Sequence, residues 1–135
     1  VNELLKKFLR VVDGIEAERG QFTLFGLFLR ADTPYVYDVV ASALWLDEDR
    51  LDGIRYIAKQ VGDALEPQEM LSLSRIVPMP TNEESIESLL AAIGRSRKPI
   101  EIKDLDFAGA RILSAYIISS HGHSKGAFPK VNASA

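Results

Sequence analysis

The sequence predicts an α/β fold: three helices against a mixed sheet of about five strands, in the order α-β-β-α-β-α-β-β, with an α+β arrangement as the variant. Segments with apolar residues at helical spacing alternate along the chain with short runs rich in β-branched and aromatic residues. Strands interleaved with helices bury both kinds of apolar face by stacking helices on a sheet. With 135 residues, 47% of them hydrophobic, a net charge of −3 and no cysteine, the chain has the makings of one hydrophobic core. It lacks the composition of a disordered segment or a disulfide scaffold. No repeat or linker divides it, so residues 1–120 are expected to form a single domain and residues 121–135, which lack periodicity, a flexible tail.

Residues 3–19 open the chain as an amphipathic helix. Leu4, Leu5, Phe8, Leu9, Val12 and Ile15 recur on one side, Lys6, Lys7, Arg10 and Asp13 on the other, and Gly20 supplies the stop. Residues 22–30 are apolar on both faces and too short for a buried helix, which predicts a strand covered on both sides. Asp32, Thr33 and Pro34 make a turn, and residues 35–43 return as the second strand of an antiparallel hairpin. A helix is expected over 48–65. Its stripe is Leu51, Ile54, Ile57, Ala58, Val61 and Leu65, its start carries Asp47, Glu48 and Asp49, and Pro67 follows its end.

Residues 72–78 read as a third strand closed by Pro78 and Pro80. Thr81 and Glu84 have the spacing of a capping box, in which each side chain bonds a free backbone N–H at a helix start. The helix behind them would bury Ile86, Leu89, Leu90 and Ile93 and stop at Gly94. Residues 100–105 alternate like a strand. Residues 110–119 fit a strand or a helix by pattern, and Ile112, Tyr116, Ile117 and Ile118 favour the strand. Ala108 and Gly109 would form the turn between them.

Composition narrows function more than it names it. No apolar run approaches the ~20 residues of a spanning helix. Glu3 and the interrupting lysines of the first helix lead us to expect no secretory leader and a cytoplasmic location. The weak acidity argues against nucleic acid as a partner. Without cysteine there is no thiol nucleophile and no thiolate metal site. The patterns G-x-S-x-G, G-x-x-x-x-G-K and G-x-G-x-x-G are all missing. Asp47 to Gly53 has the acid density of a calcium loop but fails its register: the sixth position is Asp52 rather than glycine, and the twelfth is Ala58 rather than glutamate.

A few residues stand out. Glu101 and Lys103 on a strand resemble the Glu-x-Lys pair of PD-(D/E)xK nucleases, with Asp38 as the upstream acid. That resemblance implies two carboxylates on a magnesium ion and a lysine positioning the attacking water. The bland alternative is a solvent-facing strand of alternating charge. Asp38 shares a strand face with Val36, Val40 and Ser42 and needs a partner if buried, for which Arg30 or Arg75 is placed. Arg95, Arg97 and Lys98 form a basic stretch able to grip a small anion, or simply a solvated loop at a helix C-terminus. Trp45 is either an interface anchor or a plug in the core. His121 and His123 lie in the expected tail, where a Ser-His-Asp triad would require that tail to fold back. Elimination leaves three readings. The first is a non-enzymatic interaction or regulatory module, working through a sheet edge or helix face on a protein partner or as a homodimer, without cofactor or metal. The second is the nuclease of Asp38, Glu101 and Lys103. The third is a sensor of small anions.

Overall fold

The computed structural model describes residues 2–94 and 99–122. Helix α1 (Asn2–Arg19) leads into strand β1 (Leu24–Arg30), which pairs antiparallel with β2 (Tyr37–Ser42). A helical stretch follows in three pieces, α2 (Leu44–Glu48), α3 (Arg50–Ala64) and α4 (Pro67–Met70). Then come β3 (Leu73–Pro78), α5 (Glu84–Ile93), β4 (Ile100–Phe107) and β5 (Ala110–Ser119). The strands form one mixed sheet in the order β3-β2-β1-β5-β4. Only the β2–β3 pair is parallel, because the crossover through α2 to α4 returns the chain in the direction it left. The expected α/β fold and strand count therefore hold.

Two apolar layers sandwich the sheet. On one face, Leu4, Phe8, Val12 and Ile15 of α1 and Ile57 and Val61 of α3 pack on Phe25, Leu27, Val39, Ala41 and Ile118. On the other, Ile86 and Leu89 of α5 pack with Leu24, Phe28, Val40, Ala115 and Ile117. This two-sided cover explains why β1 reads as a continuous apolar run. Gly26 sits where a Cβ would lie 2.9 Å from both the Tyr116 carbonyl oxygen and the Phe28 ring, so the close β1–β5 approach excludes any side chain there. Ala108 and Gly109 both take positive φ and close the expected hairpin between β4 and β5.

The structure corrects the sequence reading at several points. The helix expected over 48–65 is broken at Asp49, whose extended backbone caps α3 while its side chain accepts from the Asp52 N–H. Leu44, Trp45 and Leu46, ahead of the expected start of that helix, belong to a short helix of their own. Thr81 does not cap α5, which begins at Glu84 after Glu83. Its hydroxyl and its N–H both donate to the Asp47 carboxylate, at 2.7 and 3.3 Å. A long-range acid has taken the donors that the local motif would have used. His121 and Gly122, placed in the expected tail, donate their N–H groups to the carbonyls of Phe22 and Thr23. Residues 123–135, with His123, lie outside the described residues.

Candidate functional site

Strand parity decides the fate of the acidic pair. Asp38 stands opposite Phe28, which stands opposite Ala115, which stands opposite Ile102. Glu101 is opposite Tyr116 and therefore lies one residue out of that line. Directly paired residues share a face and successive ones alternate, so Asp38 and Glu101 point to opposite sides of the sheet with two strands between theirs. The trio of Asp38, Glu101 and Lys103 is not assembled, and no group of three potential metal ligands occurs among the described residues. Glu101 instead accepts a hydrogen bond from the Ser114 hydroxyl at 3.3 Å. Its charge helps to raise the pKa of Tyr116, an effect second to burial of that phenol. Lys103 is exposed on the same strand.

Asp38 is 4% exposed on the face that carries α5. Both expected cations are present. Arg30 Nε lies 3.3 Å from Oδ2, and Arg75 Nε lies 3.4 Å from Oδ1. The side chain of Arg30 is 24% exposed and that of Arg75 56% exposed. Asp38 Oδ1 and Arg30 Nε have these ionic neighbours but no hydrogen bond of good geometry. They look into a half-open cavity of about 130 Å³ walled by Phe28, Val40, Val77, Met79, Phe107 and Ile112. No residue of α5 lines it.

On the opposite face of the same strands lies a second, more apolar hollow of about 260 Å³. It runs between α3 and β3 and is lined by Val39, Ala58, Val61, Met70, Leu73 and Ile76. The Tyr37 N–H donates to the Ser72 carbonyl at 2.8 Å, which joins the start of β2 to the residue before β3. Tyr35 and Leu71 are 88% and 77% exposed, the two most exposed large apolar side chains described.

Strand β3 separates the two hollows and is an edge strand. The Met79 N–H donates to the Ala41 carbonyl at 2.8 Å, toward β2. Alternation along the strand then turns the backbone groups of Val77 and Arg75 toward β2 and those of Ile76 and Pro78 toward the open side, up to the register shift that makes Ser74 an extra residue before Arg75. Pro78 is tolerated because an edge strand loses no ladder bond from a missing N–H. The opposite edge differs. Strand β4 carries exposed Glu101, Lys103, Asp104 and Asp106, the charges by which proteins stop strands from adding to a sheet. Strand β3 has one charge, Arg75, and it is engaged with Asp38.

The remaining candidates, where they are described, make contacts within the chain. Trp45 donates its indole N–H to the Gly20 carbonyl at 3.1 Å and packs against Phe22 and edge-on against Tyr56. Arg19 lies over the Tyr56 ring, 4.0 Å from its centre. Trp45 thus ties the end of α1 to α2 and α3. Arg95, Arg97 and Lys98 lie outside the described residues. The Glu16 carboxylate accepts from the Phe22 N–H and the Ser119 hydroxyl, both at 2.9 Å, and meets His121 Nε2 at 3.2 Å. The acid stands between serine and histidine, whereas a nucleophile needs its base next to it. Sequence reasoning predicted β3 as a strand but did not single it out as an edge, where the signal was the contrast between one charge in residues 73–78 and four in residues 100–107. No helix among the described residues is long and apolar enough to cross a membrane. No family model, curated protein or solved structure matches the chain.

Proposed function

We propose that this chain is a protein-interaction module that takes an extended segment of its partner as a sixth strand on β3. The carrying observation is the asymmetry of the two edges: β4 is guarded by four exposed charges, while β3 presents backbone donors and acceptors with its single charge turned to Asp38. In such strand addition, main-chain hydrogen bonds supply affinity and pockets for alternate side chains supply specificity. Here the hollow against α3 would take apolar side chains, and the Arg30–Asp38–Arg75 cavity would take a small polar one from the other face.

The test is a displayed library of extended eight-residue peptides selected on the purified chain, followed by hydrogen exchange of the complex. Binding is expected to slow exchange at the Ile76 amide, and Ile76→Lys is expected to weaken the selected peptides at least tenfold without loss of the folded far-UV spectrum. Peptides that protect β4 or a helix face, and leave Ile76 exchanging freely, would sink the reading.

A further inference from the structure

We infer that the cavity of Arg30, Asp38 and Arg75 is a binding site for a small apolar α-amino acid, with its carboxylate on the arginines and its ammonium group on Asp38. The docking-edge reading gives this cavity a side chain of the partner. A free amino acid would exclude that side chain, but its binding needs nothing from the backbone of β3.

Three neighbouring strands each bring one charged side chain to the cavity: Arg30 from β1, Asp38 from β2 and Arg75 from β3. The walls around them are apolar, and no residue of α5 closes the opening. A polar atom buried among such walls is costly unless it is hydrogen-bonded. Two atoms here are not: Asp38 Oδ1, an acceptor, and Arg30 Nε, a donor. Arg30 meets Asp38 and Asp32 through Nε, at 3.3 and 3.5 Å. The fork of its terminal nitrogens is left for another acceptor.

An unanswered acceptor beside an unanswered donor calls for a head group that both donates and accepts. Charge decides which one. Arg30 and Arg75 are balanced by Asp38 and Asp32, so a ligand of either net charge would leave a surplus in a partly desolvated site. A plain carboxylate would face Asp38, and a plain amine would face two guanidinium groups. An uncharged amide would satisfy both atoms, but only with neutral hydrogen bonds. Ammonium on carboxylate and carboxylate on guanidinium are charge-assisted, about twice as strong, and the second can be bidentate. An α-amino acid carries both charges on one carbon and is neutral as a whole. Size sets the side chain. The cavity holds about 130 Å³, close to the roughly 150 Å³ that admits benzene. That suits the isopropyl and amino groups of valine, with the carboxylate at the mouth beside the half-exposed Arg75.

The test is a titration of the ¹⁵N-labelled chain with L-valine, following the backbone amides and the arginine Nε–H resonances. Shifts are expected to centre on Arg30, Asp38 and Arg75. Valine is expected to bind at least tenfold more tightly than isovalerate, isobutylamine or isovaleramide, which lack the amine, the carboxylate or both charges. Arg75→Met, which removes a half-exposed side chain, is expected to weaken valine at least fivefold. The triple variant Arg30→Met, Asp38→Val, Arg75→Met is expected to abolish binding with its far-UV spectrum intact. Ile76→Lys, on the other face of the sheet, is expected to leave the affinity unchanged.

No shift with valine at about 10 mM, weaker than any useful affinity, would overturn the site. Isovalerate binding as tightly as valine would overturn the part given to Asp38, and isovaleramide doing so would overturn the charged head group. Valine shifts that persist in the triple variant would overturn the location. Peptides that protect Ile76 in a chain indifferent to valine would leave the docking-edge reading standing alone. Valine binding to a chain whose Ile76 no peptide protects would leave this inference standing alone.

Discussion

Replacing Arg30 by methionine should destabilise the chain far more than replacing Arg75, although both touch Asp38. The reason is burial. Asp38 is 4% exposed, and its Oδ2 lies 3.3 Å from Arg30, whose side chain is 24% exposed. Arg75 is 56% exposed, so water already competes for its charge and screens the pair. Removing one partner of a buried ion pair costs about 3–5 kcal/mol, whereas a half-exposed pair is worth about 0–1 kcal/mol. Because Arg75 remains to hold Asp38, Arg30→Met should cost about 2–3 kcal/mol and Arg75→Met less than about 1 kcal/mol. With a urea dependence of about 1–3 kcal/mol per molar for small domains, the first should move the unfolding midpoint by about 1 M and the second by a few tenths at most. Trp45 is the only tryptophan and packs between α1 and α3, so its fluorescence follows global unfolding. The triple variant Arg30→Met, Asp38→Val, Arg75→Met should recover wild-type stability or exceed it, since well-packed apolar replacements of buried charge groups commonly do. Equal losses for Arg30→Met and Arg75→Met, or a triple variant weaker than Arg30→Met alone, would refute the account.

Gly53→Ala should lower the melting temperature despite the better helix propensity of alanine, because its Cβ would lie 2.2 Å from Leu46 Cδ1. Overpacking of this kind costs about 1–3 kcal/mol against a propensity gain of at most about 1 kcal/mol. Burial, then a hydrogen bond to Glu18, pushes the Tyr56 pKa up to about 12 from its ordinary 10.0. A raised folded-state pKa stabilises fully below pH 10, and that contribution is lost as pH climbs through 12. Stability measured by urea titration should therefore fall between pH 10 and 12 less steeply in Tyr56→Phe than in wild type, and identical slopes would contradict the assignment. Finally, Glu101→Val with Lys103→Val should turn β4 into an adhesive edge and produce concentration-dependent aggregation by light scattering, which the same pair of changes on a buried strand would not.

The architecture was legible where one local signal had no rival. The helical stripe of α1, the apolar run of β1 and the β-branched run of β5 each fit one element, and the turn at Ala108 and Gly109 follows from the chemistry of positive φ. Reading failed where a distant group outbid a local motif. Thr81 and Glu84 have the spacing of a capping box, but Asp47, far away in sequence and brought near by the crossover, claims both donors of Thr81. Asp49 breaks the long helix because its side chain is worth more as a cap for α3 than as one more exposed acid. The Glu-x-Lys pair failed for a different reason: sequence spacing fixes which face a residue takes only once the register between strands is known.

That register explains how one charge pattern yields two unlike surfaces. Asp38 and Glu101 are both strand acids, yet one lies on a central strand and the other on an edge. On β2 a charge has sheet on both sides and a helical layer over part of its face, so it persists only with partners, and the chain provides Arg30 and Arg75. On β4 the acids stay exposed beside Arg111 and the Ser114 hydroxyl, and the same chemistry serves to repel an incoming strand. Arg75 links the two situations: it stands on the other edge, and its attachment to Asp38 turns its charge inward and leaves β3 without a guard. The contact that satisfies the buried acid is therefore also the one that opens the edge. An arginine in a strand is not by itself protection against pairing; what counts is where its charge is spent.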